Sequence, residues 1–233
     1  MNIRYITKQE QFDQAIKELR EIPKLCADFE TTGLDARVHE PRLLQLCTTK
    51  EVEDRTVYVI DFFKVADTSA LEQVITTREL LVLHNANFDV QFFLKLGIDY
   101  KGKIFDTFVA ERCLTAGFKE RKVNPETQQS YFSEISCSLK NVINRRFDRE
   151  LSKEQQVSDW SKDELDLEQI AYAALDVDIL PQLASVQLKE LASENLLEVY
   201  TLESKCIRPV AMMCHYGINM DIEKLLILKG KKK

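Results

Sequence analysis

The stretch from Lys24 to Leu34, K-L-C-A-D-F-E-T-T-G-L, has the pattern of a buried strand that ends in two carboxylates. Side chains two apart on a strand point the same way, so Asp28 and Glu30 can face one point while Phe29 turns into the core. That geometry suits a divalent metal ion. A D-x-E pair is common, however, and solvated acids before the Gly33 turn are the structural alternative. Acids elsewhere in the chain decide between the two interpretations.

A third acid follows a short apolar run. Leu80 to Leu83, L-L-V-L, is too short for a helix and is typical of a central buried strand. It leads into H-N-A-N-F-D, after which apolar residues have helical spacing as far as Gly97. We therefore expect Asn87 to cap a helix and Asp89 to lie in its first turn, where the helix dipole favours an acid.

A fourth acid lies late in the chain, beside a tyrosine. Ser161 to Glu164, S-K-D-E, fits a capping box and predicts the start of a helix that runs through Val177. Tyr172 and Asp176 are four residues apart and would share one face of that helix. Pro181 either kinks the helix or separates two helices, because proline removes a backbone hydrogen bond.

The remaining patterns complete an α/β chain. A short edge strand is predicted at 3–6, and strands at 42–48 and 57–61 form an antiparallel hairpin across the charged turn 50–55. Together with the strand at 24–30, this hairpin gives three consecutive strands that begin a sheet. Helices are predicted after a Thr7 cap, around 71–75, from an Asp106 cap to 116, over 138–146 and from 200 onward. The polar stretch Gly117–Ser136 contains Pro125 and is interpreted as a long loop.

Composition limits the classes of protein that fit. The 233 residues, 45% hydrophobic and 30% charged, are typical of one main globular domain. A net charge of −6 argues against a broad cationic surface for duplex nucleic acid, but leaves phosphate contact through metal ions open. The six cysteines lack zinc spacing and are predicted to be reduced thiols. No run reaches membrane-spanning length and the N-terminus lacks a signal-peptide core, which predicts a cytoplasmic protein, or its organellar or nucleoid equivalent, without a membrane partner.

Four carboxylates and one phenol are the groups that a two-metal phosphodiesterase requires. One ion activates a water molecule and the second stabilises the leaving oxygen. Oxygen ligands suit Mg²⁺ or Mn²⁺ better than zinc. The tyrosine would orient the attacking water.

The segments D-F-E-T-T-G-L, H-N-A-N-F-D and Y-A-A-L-D resemble the three motifs of the DEDDy 3′-5′ exonucleases. This family includes the proofreading domain of bacterial DNA polymerase I, RNase D and the Werner-type exonuclease. The motifs occur in the family's order, with S-D-W-S shortly before the last, and cover roughly residues 1–195. The resemblance implies a ribonuclease-H-like mixed sheet of three antiparallel strands followed by parallel ones, with helices on both faces.

The resemblance also implies a role for each acid. Asp28 matches the acid that bridges both ions, and Glu30 and Asp176 match ligands of the ion that holds the nucleophile. Asp89 matches the acid that supports the second ion, mostly through water. Tyr172 matches the tyrosine that gives the subfamily its last letter.

Further positions are assigned as substrate contacts or as structural residues. The family places substrate contacts at positions like Thr31, Leu34 and Asn85. For His84 we favour packing over a role as a base, and for Trp160 packing over base stacking. We interpret Asp106 as a helix cap and Asp178 as a solvated helix residue, and favour solvation over phosphate contact for Lys119, Arg121, Lys122, Arg145 and Arg146.

The sequence therefore predicts a metal-dependent 3′-5′ exonuclease that releases nucleoside 5′-monophosphates from single-stranded or frayed DNA, with proofreading as its setting. Residues 1–197 would form the exonuclease domain. Residues 198–233 resemble the start of a family A polymerase domain, which makes a polymerase domain or subunit a candidate partner.

Two alternatives stay open. One is an RNase D-like enzyme that trims RNA, because both polymers share the cleaved bond. The other is a catalytically silent platform for docking nucleic acid or polymerase, which is disfavoured because mutually repelling carboxylates cost stability unless cations neutralise them.

Overall fold

The computed structural model describes residues 1–48, 55–150 and 158–230. Most of the predicted turn at 50–55 and the last three residues of the predicted tail lie outside the described residues. The strands are β1 (Asn2–Ile6), β2 (Lys24–Thr31), β3 (Pro41–Thr48), β4 (Thr56–Asp61), β5 (Leu80–Leu83), β6 (Lys103–Asp106), β7 (Lys119–Val123) and β8 (Ser130–Glu134). The helices are α1 (Gln9–Arg20), α2 (Ala70–Thr76), α3 (Asn87–Lys95), α4 (Thr107–Thr115), α5 (Leu139–Phe147), α6 (Leu167–Asp178), α7 (Leu180–Ser193), α8 (Leu197–Tyr216) and α9 (Ile222–Gly230).

Six strands form one mixed sheet in the order β1-β4-β3-β2-β5-β6. Strands β2, β3 and β4 are antiparallel to their neighbours in sequence. Strands β5 and β6 run parallel to β2, and β1 runs parallel to β4 at the edge of the sheet. The predicted ribonuclease-H-like arrangement of antiparallel followed by parallel strands is confirmed.

Helices cover both faces of this sheet, and the residues of β2 alternate between them. Leu25, Ala27 and Phe29 belong to the core cluster beneath α1, α2 and α3. Cys26 belongs to the opposite cluster, beneath α4, α6 and α7. Phe29 packs its ring edge-on against Phe93, with centroids 4.9 Å apart. The predicted inward turn of Phe29 is therefore confirmed, and the side chains on either side of it face α6.

Helix α6 begins later than the predicted capping box. Its N-cap is Asp166, whose carboxylate accepts from the Gln169 backbone N–H at 2.8 Å, while the Gln169 side chain accepts from the Asp166 N–H at 3.2 Å. Ser161 instead donates its hydroxyl to Asp159. The capping box predicted at 161–164 is therefore wrong, because a second box with the same spacing lies five residues later.

Two other predicted caps are displaced by one residue, and the helix break at proline is resolved. The N-cap of α1 is Lys8 rather than Thr7, and that of α3 is Ala86 rather than Asn87. Pro181 lies in the first turn of α7, so it separates α6 from α7 rather than kinking one helix.

The predicted loop at 117–136 is wrong, because most of it forms the antiparallel β7–β8 hairpin. Asn124 closes the turn, since its side-chain oxygen accepts from the backbone N–H groups of Glu126 at 2.8 Å and Thr127 at 3.2 Å. Gln128 completes the turn with a φ of 57°. The strands are mainly polar on both faces, so they lack the apolar alternation that identifies a half-buried strand.

Helix α8 packs against α3 and contributes to the main core. Tyr200, Ile207 and Ala211 are buried. Arg208 forms a bidentate pair with Asp99, in which Nε donates to Oδ1 at 2.9 Å and Nη2 donates to Oδ2 at 2.8 Å. The predicted boundary between the exonuclease domain and the tail coincides with the start of α8, and it stays a prediction.

The six thiols are unpaired, which agrees with the prediction of reduced cysteines. All six cysteines are free, and Cys206 and Cys214 are exposed. Across the described ranges, no helix has the length and hydrophobicity of a membrane span.

Candidate active site

Three of the predicted acids meet where the end of β2 faces α6. One carboxylate oxygen from each of Asp28, Glu30 and Asp176 lies within 4.8 Å of the others. The alternation of β2 turns the first two towards α6, and α6 packs across β2, β3 and β4. All three side chains are partly buried. The structure therefore brings the D-x-E pair and the Y-A-A-L-D segment together, as expected.

Asp89 lies just behind this three-carboxylate group. It occupies the first turn of α3, as predicted, and is only 1% exposed. Its side chain accepts a hydrogen bond from the backbone N–H of Phe29 at 3.2 Å. This contact fixes Asp89 against the strand between Asp28 and Glu30, and its charge contributes to raising the pKa of both carboxyls.

Burial raises the pKa of every acid in the cluster, and the charges of neighbouring cluster acids raise it further for Asp28 and Glu30. For Asp28 burial is the largest cause, followed by the charges of Asp89, Glu30 and Asp176. For Glu30 burial again leads, followed by the charges of Asp176 and Asp89. Burial raises the pKa of Asp176 to about 6. Crowded carboxylates of this kind match the donor set of a hard divalent cation, which would offset their repulsion.

Tyr172 stands beside these acids on α6. Its hydroxyl donates to Asp176, one turn further along the helix. Burial, followed by the charge and the hydrogen bond of Asp176, raises the pKa of Tyr172 well above its ordinary value. Tyr172 therefore keeps its proton at neutral pH and acts as a hydrogen-bond donor.

A cavity of about 750 Å³ opens over the acids, and the predicted substrate contacts line it. Thr31 follows Glu30 at an irregularity in the β2–β3 pairing, and its hydroxyl donates to the Gly33 carbonyl at 2.7 Å. Leu34 projects at the rim with 86% of its surface exposed. Asn85 enters from the end of β5. The three positions are 54 residues apart in sequence at most and share one cavity.

Asp106 holds the H-N-A-N turn in place. Its carboxylate accepts from the backbone N–H groups of Asn85 and Ala86, each at 2.9 Å. The same carboxylate caps α4 by accepting from Phe108 at 2.8 Å and Val109 at 3.3 Å. The predicted role of Asp106 as a cap is confirmed, and the carboxylate also supports Asn85, which has a φ of 64°.

The predicted packing of His84 and Trp160 is confirmed, whereas the predicted solvation of Asp178 is not. His84 shares a hydrogen bond of 2.8 Å with Thr107, and burial lowers the pKa of His84 to about 4, so it is a neutral packed residue. Trp160 is 5% exposed, which confirms packing, although one side of it lines the cavity. Asp178 was expected to be solvated, which is wrong because it pairs with Arg55 at 3.2 Å.

Arg145 and Arg146 form ion pairs with the protein, although Arg145 is also exposed to solvent, as predicted. Both donate to the buried carboxylate of Glu111, at 2.8 and 2.6 Å, and Arg146 also pairs with Glu190 at 2.6 Å. Gln187 donates to Glu111 at 2.9 Å. Burial would raise the pKa of Glu111, but these hydrogen bonds outweigh it and lower the pKa. The two arginines therefore join α4, α5 and α7.

Part of the cavity wall escaped the sequence prediction. Phe88 lies inside H-N-A-N-F-D, so the motif itself offered a signal. Ser158 and Asp159 belong to the S-D-W-S segment noted above, whereas Phe108, Ser136 and Ser138 come from segments without a recognisable pattern. The additional wall residues include Phe88, Phe108, Ser136, Ser138, Ser158 and Asp159.

Comparison with known proteins places the chain among nucleases. A family described as 3′-5′ exonuclease matches residues 3–192. DNA polymerase I of Aquifex aeolicus is 28% identical over 97% of this chain and 37% of its own length. Ribonuclease D of Gluconacetobacter diazotrophicus is 28% identical over 83% of this chain and 44% of its own length. The chain thus spans less than half the length of either relative.

A solved structure shares the fold over nearly its full length. Brucella melitensis NrnC with bound Mg²⁺ superposes with a TM-score of 0.67 at 19% identity. The match covers 93% of this chain and 95% of that one.

Proposed function

Because the chain belongs to the 3′-5′ exonuclease family, whose pattern spans residues 3–192, we propose that it is a DEDDy-type enzyme acting on DNA. It would release nucleoside 5′-monophosphates from the 3′ end of a single-stranded or frayed strand. The observation that carries the proposal is the group of Asp28, Glu30 and Asp176 within 4.8 Å, at the base of a cavity of about 750 Å³.

Two divalent ions, Mg²⁺ or Mn²⁺, are proposed as cofactors. The family is divalent-metal-dependent, and a set of oxygen ligands suits these hard cations. Asp28, Glu30 and Asp176 would hold them together with Asp89. When bound, two such ions supply an activated water molecule and charge stabilisation for the leaving oxygen.

The environment of each acid supports a different role. Asp28 experiences the charges of Asp89, Glu30 and Asp176, which supports a shared position between the two ions. The charges of Asp176, Glu30 and Asp28 all raise the pKa of Tyr172, so its hydroxyl lies near all three carboxylates. Glu30 and Asp176 would hold the ion that binds the nucleophile. Asp89 is held by the Phe29 N–H outside the three-carboxylate group, which is consistent with support of an ion through water.

The remaining side chains would position water and substrate. Tyr172 keeps its proton, so its role would be to donate a hydrogen bond that orients the attacking water. Thr31, Leu34 and Asn85 line the cavity and would contact the terminal nucleotide. The exposed side chain of Leu34 offers an apolar surface against which a base can pack.

RNA trimming is the second candidate, supported by the ribonuclease D relative at 28% identity. DNA is favoured because the match to the DNA polymerase I relative extends over 97% of the chain, against 83% for ribonuclease D. Proofreading, with a polymerase domain or subunit as partner, is the setting that this longer match supports. A silent platform is disfavoured, since it has no use for crowded carboxylates with raised pKa values.

A time course on matched 5′-labelled DNA and RNA strands, with Mg²⁺, Mn²⁺ or EDTA, tests the proposal. Asp28→Ala and Asp176→Ala should each slow hydrolysis by at least about 100-fold. Tyr172→Phe should slow it while metal binding, measured by calorimetry, is retained. Glu168→Ala removes an exposed acid from the same helix and serves as the matched control, with full activity expected. An Asp28→Ala chain that still degrades the strand in Mg²⁺ contradicts the assignment, and faster degradation of RNA selects the second candidate.

A further inference from the structure

A second cavity adjoins the one over the acids. It has a volume of about 330 Å³ and shares Phe108 and Cys137 with its larger neighbour. Arg112, Phe118 and Lys119 line it from the end of α4 and the start of the hairpin. The guanidinium of Arg112 lies 5.9 Å from the centre of the Phe108 ring. The path that leads away from the acids is therefore both aromatic and cationic.

One face of the β7–β8 hairpin extends this path. Directly paired residues of antiparallel strands share a face, and so do residues two apart along each strand. The pair Lys119–Glu134 lines the second cavity. The pair Arg121–Phe132 comes two residues further along and lies on the same side, which we call the cavity face. The pair Lys122–Tyr131 lies on the opposite side, the back face.

The cavity face and the adjoining second cavity, which includes Arg112 and Phe118, together have a composition that indicates their ligand. Phe118 and Phe132 are 65% and 70% exposed, an unusual position for phenylalanine unless something packs on it. Arg112, Lys119 and Arg121 supply three positive charges against the one carboxylate of Glu134, in a chain of net charge −6. The lysine that pairs within the hairpin, Lys122 with Glu120 at 2.7 Å, is on the back face.

We propose that the cavity face and the adjoining second cavity bind the single strand on the 5′ side of the terminal nucleotide. Bases stack on Phe118 and Phe132, and phosphates lie against Arg112, Lys119 and Arg121. Stacking on aromatic rings requires unpaired bases, so the face selects a single strand over a duplex. The inference rests on the proposed function, because the 3′ end must lie at the acids for the rest of the strand to follow this path.

Two double variants test the surface against a matched control. Arg121→Ala with Phe132→Ala removes one cation and one ring from the cavity face. Lys122→Ala with Tyr131→Ala removes the same two groups from the back face of the same hairpin. The probe is a 5′-fluorescein-labelled ten-nucleotide strand, of DNA and separately of RNA, followed by fluorescence anisotropy in EDTA so that it is not cleaved.

The cavity-face variant should bind about tenfold or more weakly, because loss of a stacking ring has an effect of this size. The slope of log K against log salt concentration should become shallower by about 0.7, the value for one phosphate contact with a single strand. The loss should shrink as the strand is shortened to a dinucleotide. The back-face variant should bind like the unmodified chain. Melting temperatures of both variants check that the chain stays folded, and equal protease sensitivity of residues 117–136 checks that the hairpin persists in both.

Equal weakening by both variants, or no weakening by either, overturns the inference, as does an undiminished loss on the dinucleotide. The two proposals fail in distinguishable ways. If the unmodified chain hydrolyses no strand in Mg²⁺, the exonuclease assignment fails. The anisotropy comparison still decides whether the cavity face binds nucleic acid. If hydrolysis occurs and the two variants bind alike, the surface alone is wrong.

Discussion

At the scale of single residues, Asp176 shows how the acid cluster opposes folding when no cation is bound. Burial raises its pKa in the folded chain to about 6, whereas the pKa of an aspartate in an unfolded chain is about 3.9. Between these values the folded state binds more protons than the unfolded state, so stability falls as the pH rises through this window. Above pH 6 the full penalty remains, and well below pH 4 it vanishes.

Asp176→Asn should therefore stabilise the metal-free protein at pH 8. The side chain is partly buried, so we expect a gain on the order of 1 kcal/mol, or about 2–4 °C in Tm. Most of the gain should disappear at pH 4. Thermal unfolding in EDTA at both pH values checks this, with Glu168→Gln as the exposed control on the same helix. An unchanged Tm at pH 8 contradicts the prediction, and added Mn²⁺ should stabilise the unmodified chain more than the variant.

The sequence predicts a side chain's direction best where strand or helix spacing fixes that direction. The D-x-E pair and the i, i+4 pair of Tyr172 and Asp176 point as expected because strand and helix periods allow no other direction. Partners that arrive from distant segments were not predictable. The ion pair of Asp178 with Arg55 joins residues that are 123 positions apart, and no local sequence pattern predicts it.

At the scale of secondary-structure elements, Glu111 joins three helices through one buried carboxylate. Its removal leaves two guanidinium groups without their common partner, and Arg146 is largely buried. Breaking a buried pair from one side costs about 3 kcal/mol or more. Glu111→Ala should therefore lower the free energy of unfolding by this amount, measured by urea denaturation. Glu190→Ala removes a more exposed acid from the same Arg146 and should cost less than about 1 kcal/mol. Equal losses for both variants argue against the central position of Glu111.

Elements with a long apolar pattern are predicted from the sequence, whereas the four-residue strand β6 and the polar β7–β8 hairpin are not. Strands β2 to β5 and the helices that bury a face follow directly from hydrophobic period. The β7–β8 hairpin has charged or exposed residues on both faces, so its backbone pairing leaves no hydrophobic trace. The start of α6 was misplaced because two capping boxes occur in close succession, and only packing selects between them.

At the scale of the whole molecule, α8 belongs to the main core more than its place after residue 197 suggests. Tyr200 accepts from the Asp106 backbone N–H at 2.9 Å, and Ile207 and Ala211 pack beneath α3. By contrast, α9 has no buried residue among those described. The packing unit in the described chain therefore extends through α8.

A chain that ends at residue 197 should consequently be much less stable than one that ends at 217. Loss of burial at Tyr200 and Ile207 alone removes about 3–6 kcal/mol, since each large side chain contributes about 1.5–3 kcal/mol. The fragment that ends at 217 keeps α8 and lacks α9, so its Tm should stay within a few degrees of that of the full chain. Thermal unfolding of both fragments checks this. Equal melting temperatures would support a domain boundary before α8.

The alternation along β2 also limits how this chain can change in length. Leu25, Ala27 and Phe29 face one core, whereas Cys26, Asp28 and Glu30 face the other side. Inserting or deleting one residue between Lys24 and Asp28 would reverse every following side chain, placing carboxylates among the phenylalanine rings and a ring at the acids. We therefore expect single-residue insertions and deletions to be excluded from this strand, and length variation to be confined to the turns that flank it.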